Sequence, residues 1–340
     1  MATNGWFMGR FCCPNQALAL GRGFVEQVRM NEPKLHHYVP RFYLRHFLDA
    51  EDQLWIYDKN TDKVFKTTPD RIAAETHFYR LPESLAGGND PLSIEKALSH
   101  LESKASAVIA RMALEAAHRT ATEGVALSDE ERALLSEFIS AQHFRTLELR
   151  DLLLFLMEDT GIIEEGMDAQ KRMALHVSVL SGSGLVEELA DSIYHSIWIF
   201  AKNSTATPFI TSDHPVCFKN ADNRSWIKGI EPLENGRYIV FPISPTLILF
   251  CKEPGYWSGL QKFDLCISPV SLDNEMVDHE NCGQAFMASR FLISCTNNFQ
   301  HVRDFIPSIG TDMYAQQGQT NTEAVKRTAN FNSKRRRRSK

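Results

Sequence analysis

Four short stretches of this 340-residue chain carry side chains that could do chemistry. In KLHHYVPRFYLRHF, residues 34–47, His36 and His37 stand side by side before Pro40, among large apolar residues. Neighbouring residues face opposite sides of a strand and lie about 100° apart on a helix, so two adjacent imidazoles rarely ligate one metal. The pair reads as one histidine facing a site and one orienting a neighbour. Glu95 and Glu102 are one heptad apart, and FITSDHPV, residues 209–216, places Asp213 and His214 where an apolar run is stopped by Pro215. Two carboxylates on one flank can hold a divalent cation, pair with an arginine, or act as acid and base. Asp and His at a strand end are metal-ligand types; they equally suit an Asx turn before proline.

The fourth stretch is FISAQHFRTLELR, residues 138–150. Counted at 100° per residue from Phe138, the flanking leucines form a stripe centred near about 10°, and Gln142 and Arg145 fall inside it at about 40° and 340°. A buried guanidinium without a partner costs several kcal/mol, so Arg145 must meet a carboxylate, a ligand or a water-filled cleft. Glu95 and Glu102 border the apolar face of the preceding helix and are its candidate partners.

These residues need elements to hold them. Residues 52–69 alternate apolar positions around a turn at 59–62, which predicts a β-hairpin. SLAGGNDP, residues 84–91, reads as a loop. Apolar spacing predicts a helix over 92–117, and Ser128 with Glu131 predicts a capping box opening one long helix to about Met157. Further helices are expected over 168–180 and 184–194. Short β runs then follow at 197–200, 208–211, 238–243, 246–251 and 290–295. The order hairpin, helices, strands predicts an α+β fold: N-terminal β-hairpin, central long helices, C-terminal mainly antiparallel sheet.

Composition narrows the classes. At 43% hydrophobic and 23% charged residues, the chain reads as an ordinary globular protein, and it has no apolar run long enough to span a membrane. Its seven cysteines have no C-x-x-C spacing, which disfavours a zinc knuckle or disulfide framework and fits a reducing, cytoplasmic setting. The formal charge is −5, although the last seven residues, KRRRRSK, hold six of the 37 basic ones. Residues 1–29 are read as an extension or disordered arm before Met30, 30–315 as a single α+β domain, and 316–340 as a disordered basic tail. There is no Walker loop, G-x-G-x-x-G, H-E-x-x-H or G-x-S-x-G.

With HHYVPRFYLRHF near its start, Gln142, Arg145 and Thr146 in a Q-x-x-R-T helix, Ser212, Asp213 and Pro215 in an S-D-x-P strand end, and FPISP afterwards, the chain resembles the bacterial family named domain of unknown function 4238. The resemblance covers about residues 34–300. It implies a set of positions and no reaction. The residues themselves lead to a metal-assisted hydrolase of phosphodiesters, nuclease-like, with a polar cleft between the helices and the C-terminal sheet. In it His36, His37, Asp213 and Glu95 are catalytic, Gln142 and Arg145 contact phosphate, and a divalent metal is held by His37, Asp213 and Glu102. Nucleic acid or a small phosphate-containing ligand is the expected partner, with the terminal arginines assisting. The alternative is a non-enzymatic sensor of an anion or small ligand, as in a bacterial defence system, and a third reading is a purely structural Glu–Arg–His–Asp network.

Overall fold

The computed structural model describes residues 35–81, 90–159, 166–229 and 233–309. The expected N-terminal arm with Met30, most of the loop at 84–91 and the basic tail lie outside the described residues. The described residues all fall in the second of two compact units of the chain, Lys34–Lys340.

Strand β1 (Leu35–His37) alternates as strands must, leaving His36 buried and His37 half-buried. Pro40, fixed at φ −61° in an extended conformation, precedes the one-turn helix α1 (Arg41–Leu44). Tyr43 anchors this segment: its ring stacks on Phe241, and its hydroxyl donates to the Pro242 carbonyl at 2.7 Å and lies 2.8 Å from the Thr211 hydroxyl. The expected hairpin is β2 (Leu54–Asp58) and β3 (Lys63–Thr67), in register from Leu54 opposite Thr67 to Asp58 opposite Lys63. Then β4 (Ala74–Thr76) pairs antiparallel with β1.

Five helices follow: α2 (Ser93–His118), α3 (Asp129–Phe144), α4 (Leu147–Asp159), α5 (Ala169–Gly182) and α6 (Leu185–Tyr194). The Ser128–Glu131 capping box is formed in both directions. The single helix expected from Ser128 to about Met157 is instead two, jointed at Arg145 and Thr146. Both side chains there bond to other segments of the chain, and the Thr146 hydroxyl also lies 3.2 Å from the His143 carbonyl of α3.

The C-terminal part builds two sheets rather than one. β5 (Ile197–Lys202), β7 (Cys217–Lys219), β8 (Trp226–Ile227), β9 (Tyr238–Ser244), β10 (Leu247–Lys252) and β11 (Cys266–Ile267) form a six-stranded sheet in the order β11-β5-β10-β9-β7-β8. It is antiparallel except for the β11–β5 pair. The four-stranded sheet, β3-β2-β12-β6, joins the N-terminal hairpin to β12 (Phe291–Ser294) and to β6 (Thr211–Ser212), which is all that remains of the strand expected at 208–211. The main core, including Phe138, Phe144, Trp198, Phe200 and Phe241, lies between the helices and the larger sheet.

Helix α7 (Asn274–Met287), N-capped by Asp273, was not expected, and a short helix α8 (Gln300–Phe305) follows β12. The buried residues of α7 are Val277, Asn281, Gly283, Gln284, Ala285, Phe286 and Met287, so glycine and amides interrupt the apolar positions and blur the helical period. Gly283 lets the Trp226 ring lie directly on the helix, in the volume a Cβ would fill. Gly283→Ala, although it favours helix locally, should therefore destabilise the fold by about 1–3 kcal/mol in urea denaturation, with a change in tryptophan fluorescence.

Candidate functional site

Arg145, only 2% exposed, closes α3 and reaches three segments at once. Its Nη1 donates to Glu102 Oε1 of α2 at 2.7 Å, its Nη2 to the His37 carbonyl of β1 at 2.6 Å, and its Nε to the Tyr79 hydroxyl at 3.2 Å. The Tyr79 hydroxyl in turn donates to the Arg145 carbonyl at 2.9 Å. Burial works against the charge, but Tyr79 and Glu102 outweigh it and hold the guanidinium protonated. The inward arginine thus has the glutamate partner its helical phase demanded. With both terminal nitrogens and Nε engaged inside the chain, it is a clasp rather than an open phosphate hook. Gln142, one turn earlier, donates from Nε2 to the Tyr38 carbonyl at 2.9 Å, and its buried Oε1 has no hydrogen-bond partner.

Glu95 shares the flank of α2 with Glu102, and the two side chains are 22% and 24% exposed. Glu95 Oε2 lies 3.8 Å from His36 Nδ1, yet Nδ1 already accepts the Tyr79 N–H at 3.1 Å. The carboxylate oxygen therefore sits beside an acceptor, buried and without a hydrogen bond. Burial pushes the Glu95 carboxyl up, Arg145 pulls it down by less, and Glu102 adds to the rise. His36 is fully buried and stacked on Tyr79, with ring centroids 6.0 Å apart. His37 faces outward, toward Arg41 and Asp70. Burial, then Arg41, push its imidazole down, against the Asp70 carbonyl and the charges of Asp70 and Glu102. Its Nε2 has no partner, and nor does Nδ1 of His77, whose ring meets His36 edge-on. The structure thus brings His36, His37, Glu95, Glu102, Gln142 and Arg145 into one region.

Asp213 belongs to a different arrangement. It is buried, its Oδ1 accepts the Ser289 N–H at 2.9 Å, and its Oδ2 accepts those of Arg290 and Phe291 at 2.7 and 3.0 Å. Burial raises its carboxyl to about 6 against these donors. It pins the turn between α7 and β12. Because Asp213 is occupied there and Glu102 is tied to Arg145, the proposed metal ligands His37, Asp213 and Glu102 do not assemble. Among the described residues no group of three or more His, Cys, Asp and Glu side chains is placed to hold a metal ion.

A buried chain of polar groups at the α3–α4 joint went unread in the sequence. The His143 Nε2 is 3.0 Å from the Gly229 carbonyl, which can only accept, so the proton sits on Nε2 and Nδ1 is the acceptor. His214 Nε2, 3.1 Å away, must then donate to it, and His214 Nδ1 accepts from the Thr146 hydroxyl. Burial lowers His143 to about 4 and His214 well below its ordinary range, so both are neutral near pH 7. Beside Thr146 in sequence, Glu148 accepts from Lys228 at 2.6 Å in a fully buried ion pair. His143 lies about 140° from Phe138, off the apolar stripe, so helical phase gave no signal for it.

The family described as "Protein of unknown function (DUF4238)" matches residues 35–298. No curated protein and no solved structure matches the chain.

Removing the guanidinium alone, in Arg145→Met, strands Glu102 and the His37 carbonyl and should cost about 3 kcal/mol of unfolding free energy by urea titration; Arg145→Met with Glu102→Leu should recover part of it. His143 has its folded-state pKa depressed to about 4. Its contribution is complete above about pH 6.5 and is lost as pH falls toward 4. Asp213, raised to about 6, has the opposite sign. Thermal unfolding across pH 7 to 4.5 should therefore show wild type losing about 2.5 kcal/mol that His143→Gln does not lose.

Proposed function

The chain belongs to this DUF4238 family, and from that premise we propose that it is a hydrolase of phosphodiesters working by acid–base chemistry. The observation that carries the reading is Glu95: a half-buried carboxyl pushed up by burial, with Oε2 unpartnered, at the edge of a buried cluster of histidines and arginine. On the opposite face of β1, His37 is pushed the other way and has an unpartnered Nε2. A carboxyl pushed up and an imidazole pushed down draw their two titrations together, as suits an acid and a base working at the same pH. In this reading His37 takes the proton of the attacking hydroxyl or water, and Glu95 delivers one to the leaving oxygen. His36 and Arg145 hold these groups in place. Phosphate contact falls to Arg41, whose side chain is 56% exposed and lies by His37, rather than to Arg145 and Gln142. The six basic residues among the last seven supply attraction for a polyanion.

A second reading rests on the two unpartnered acceptors, Glu95 Oε2 and Gln142 Oε1. These suit a small ligand bearing N–H or O–H donors, bound without turnover by a sensor module.

The test is cleavage of RNA, single- and double-stranded DNA and cyclic dinucleotides by the full chain, with and without a chelator. Glu95→Gln should lower the rate by about 100-fold or more with an unchanged melting temperature, and chelation should have little effect. Full activity in Glu95→Gln, or no cleavage of any substrate, would overturn the proposal. A ligand-dependent rise in melting temperature without turnover would favour the sensor.

A further inference from the structure

A second group of charged side chains, unused by the site above, lies where β10 ends. Lys252, the last residue of β10, stands directly opposite Tyr238 on β9. Its Nζ is 3.4 Å from the centroid of the Tyr238 ring and 4.0 Å from that of Trp257. Those two rings meet edge to face with centroids 6.0 Å apart, making two walls of a box around the amine. Trp257 is fixed in turn, its indole N–H donating to the Gly236 carbonyl at 2.8 Å.

Among the described residues the amine has no carboxylate partner. Its hydrogen-bond contact is Asn223 Oδ1 at 3.4 Å. Each nearby acid is engaged elsewhere: Glu253 accepts the N–H groups of Gly255 and Tyr256, Asp222 accepts those of Arg224 and Ser225, and Glu280 pairs with the buried Lys219 at 2.6 Å. In contrast, Lys66, Lys96, Lys219 and Lys228 all sit in ion pairs. Burial favours the uncharged amine and Lys219 adds to it, with Glu280 opposing, so that Lys252 falls to about 7. The ring faces themselves favour the ammonium. A half-buried lysine next to a second cation, with no carboxylate bonded to it among the described residues, is the setting in which amines become nucleophiles.

We propose that Lys252 is a covalent docking point for a small aldehyde, held as a Schiff base between the Tyr238 and Trp257 rings. The Nζ lone pair attacks the carbonyl carbon to give a carbinolamine. Its hydroxyl then leaves as water, so that the carbonyl oxygen and both amine hydrogens depart together and a C=N bond replaces C=O. The step needs no oxidant or activated donor. The rings favour a conjugated aldehyde, since a planar imine can lie flat on one ring while meeting the other edge-on.

The full-length protein at pH 7, treated with benzaldehyde and cyanoborohydride and mapped by peptide mass spectrometry at intervals, tests this. Lys252 should be benzylated at least about tenfold faster than the exposed Lys96 and Lys171. Trp257→Leu, which removes one wall, should reduce that ratio, and Lys252→Arg should abolish the fast-reacting site while the other lysines react as before. Labelling of Lys252 no faster than Lys96 and Lys171 would overturn the proposal and leave the rings as a cage for a permanent cation. If Trp257→Leu fails to fold, the wild-type ratio decides alone.

Discussion

A positive charge inside a protein must be answered on every side, and the answer to Arg145 organises this molecule. Its three hydrogen bonds go to α2, to β1 and to the segment following β4, so one side chain ties the opening of the chain to two helices. Coulomb attraction to Glu102 offsets desolvation, and the His37 carbonyl and Tyr79 hydroxyl take up the remaining donors. None of those partners can shift far without exposing or orphaning the others. The joint between α3 and α4 falls at Arg145 and Thr146, the two residues whose side chains reach other segments of the chain.

The same logic extends along the motif positions. Gln142 holds the Tyr38 carbonyl, Thr146 ends the histidine chain, Ser212 donates to Gln284 Oε1 at 2.9 Å, and Asp213 gathers three N–H groups of the turn before β12. These residues fasten segments far apart in sequence. Glu95 and His37, at the margin of the network, are among the half-buried groups that keep a buried polar atom without a partner. A rigid interior holding a partly unsatisfied edge is how binding and catalytic groups are pre-positioned.

Reading from sequence succeeded where one residue's environment is set by its own element. His36 and His37 split to opposite faces because β1 is a strand, and Arg145 betrayed its inward direction because it interrupts an apolar stripe. The Ser128–Glu131 box is a three-residue device and was legible in full. It failed where long-range partners decide. Asp213 was recognisable as a polar residue at a strand end, but backbone N–H groups at 289–291 have no sequence signature, so a clasp looked like a metal ligand. His143 and His214 are 71 residues apart and meet only in the fold. Helix α7 buries a glycine and two amides among its apolar residues, which blurred its period.

The pairing of β2 with β12 has a consequence for how the chain folds. Ile56 lies opposite Ile293, and Lys59 donates to the carbonyls of Ala285 and Ala288. The hairpin forms locally within microseconds, yet its inner edge stays open until residues more than two hundred positions later are in place. Contacts of that separation carry a high loop-closure entropy and slow the final step of assembly. During synthesis the hairpin waits with the inner edge of β2 unpaired, and because β3 covers only its other side, that edge stays open to mispairing for most of translation.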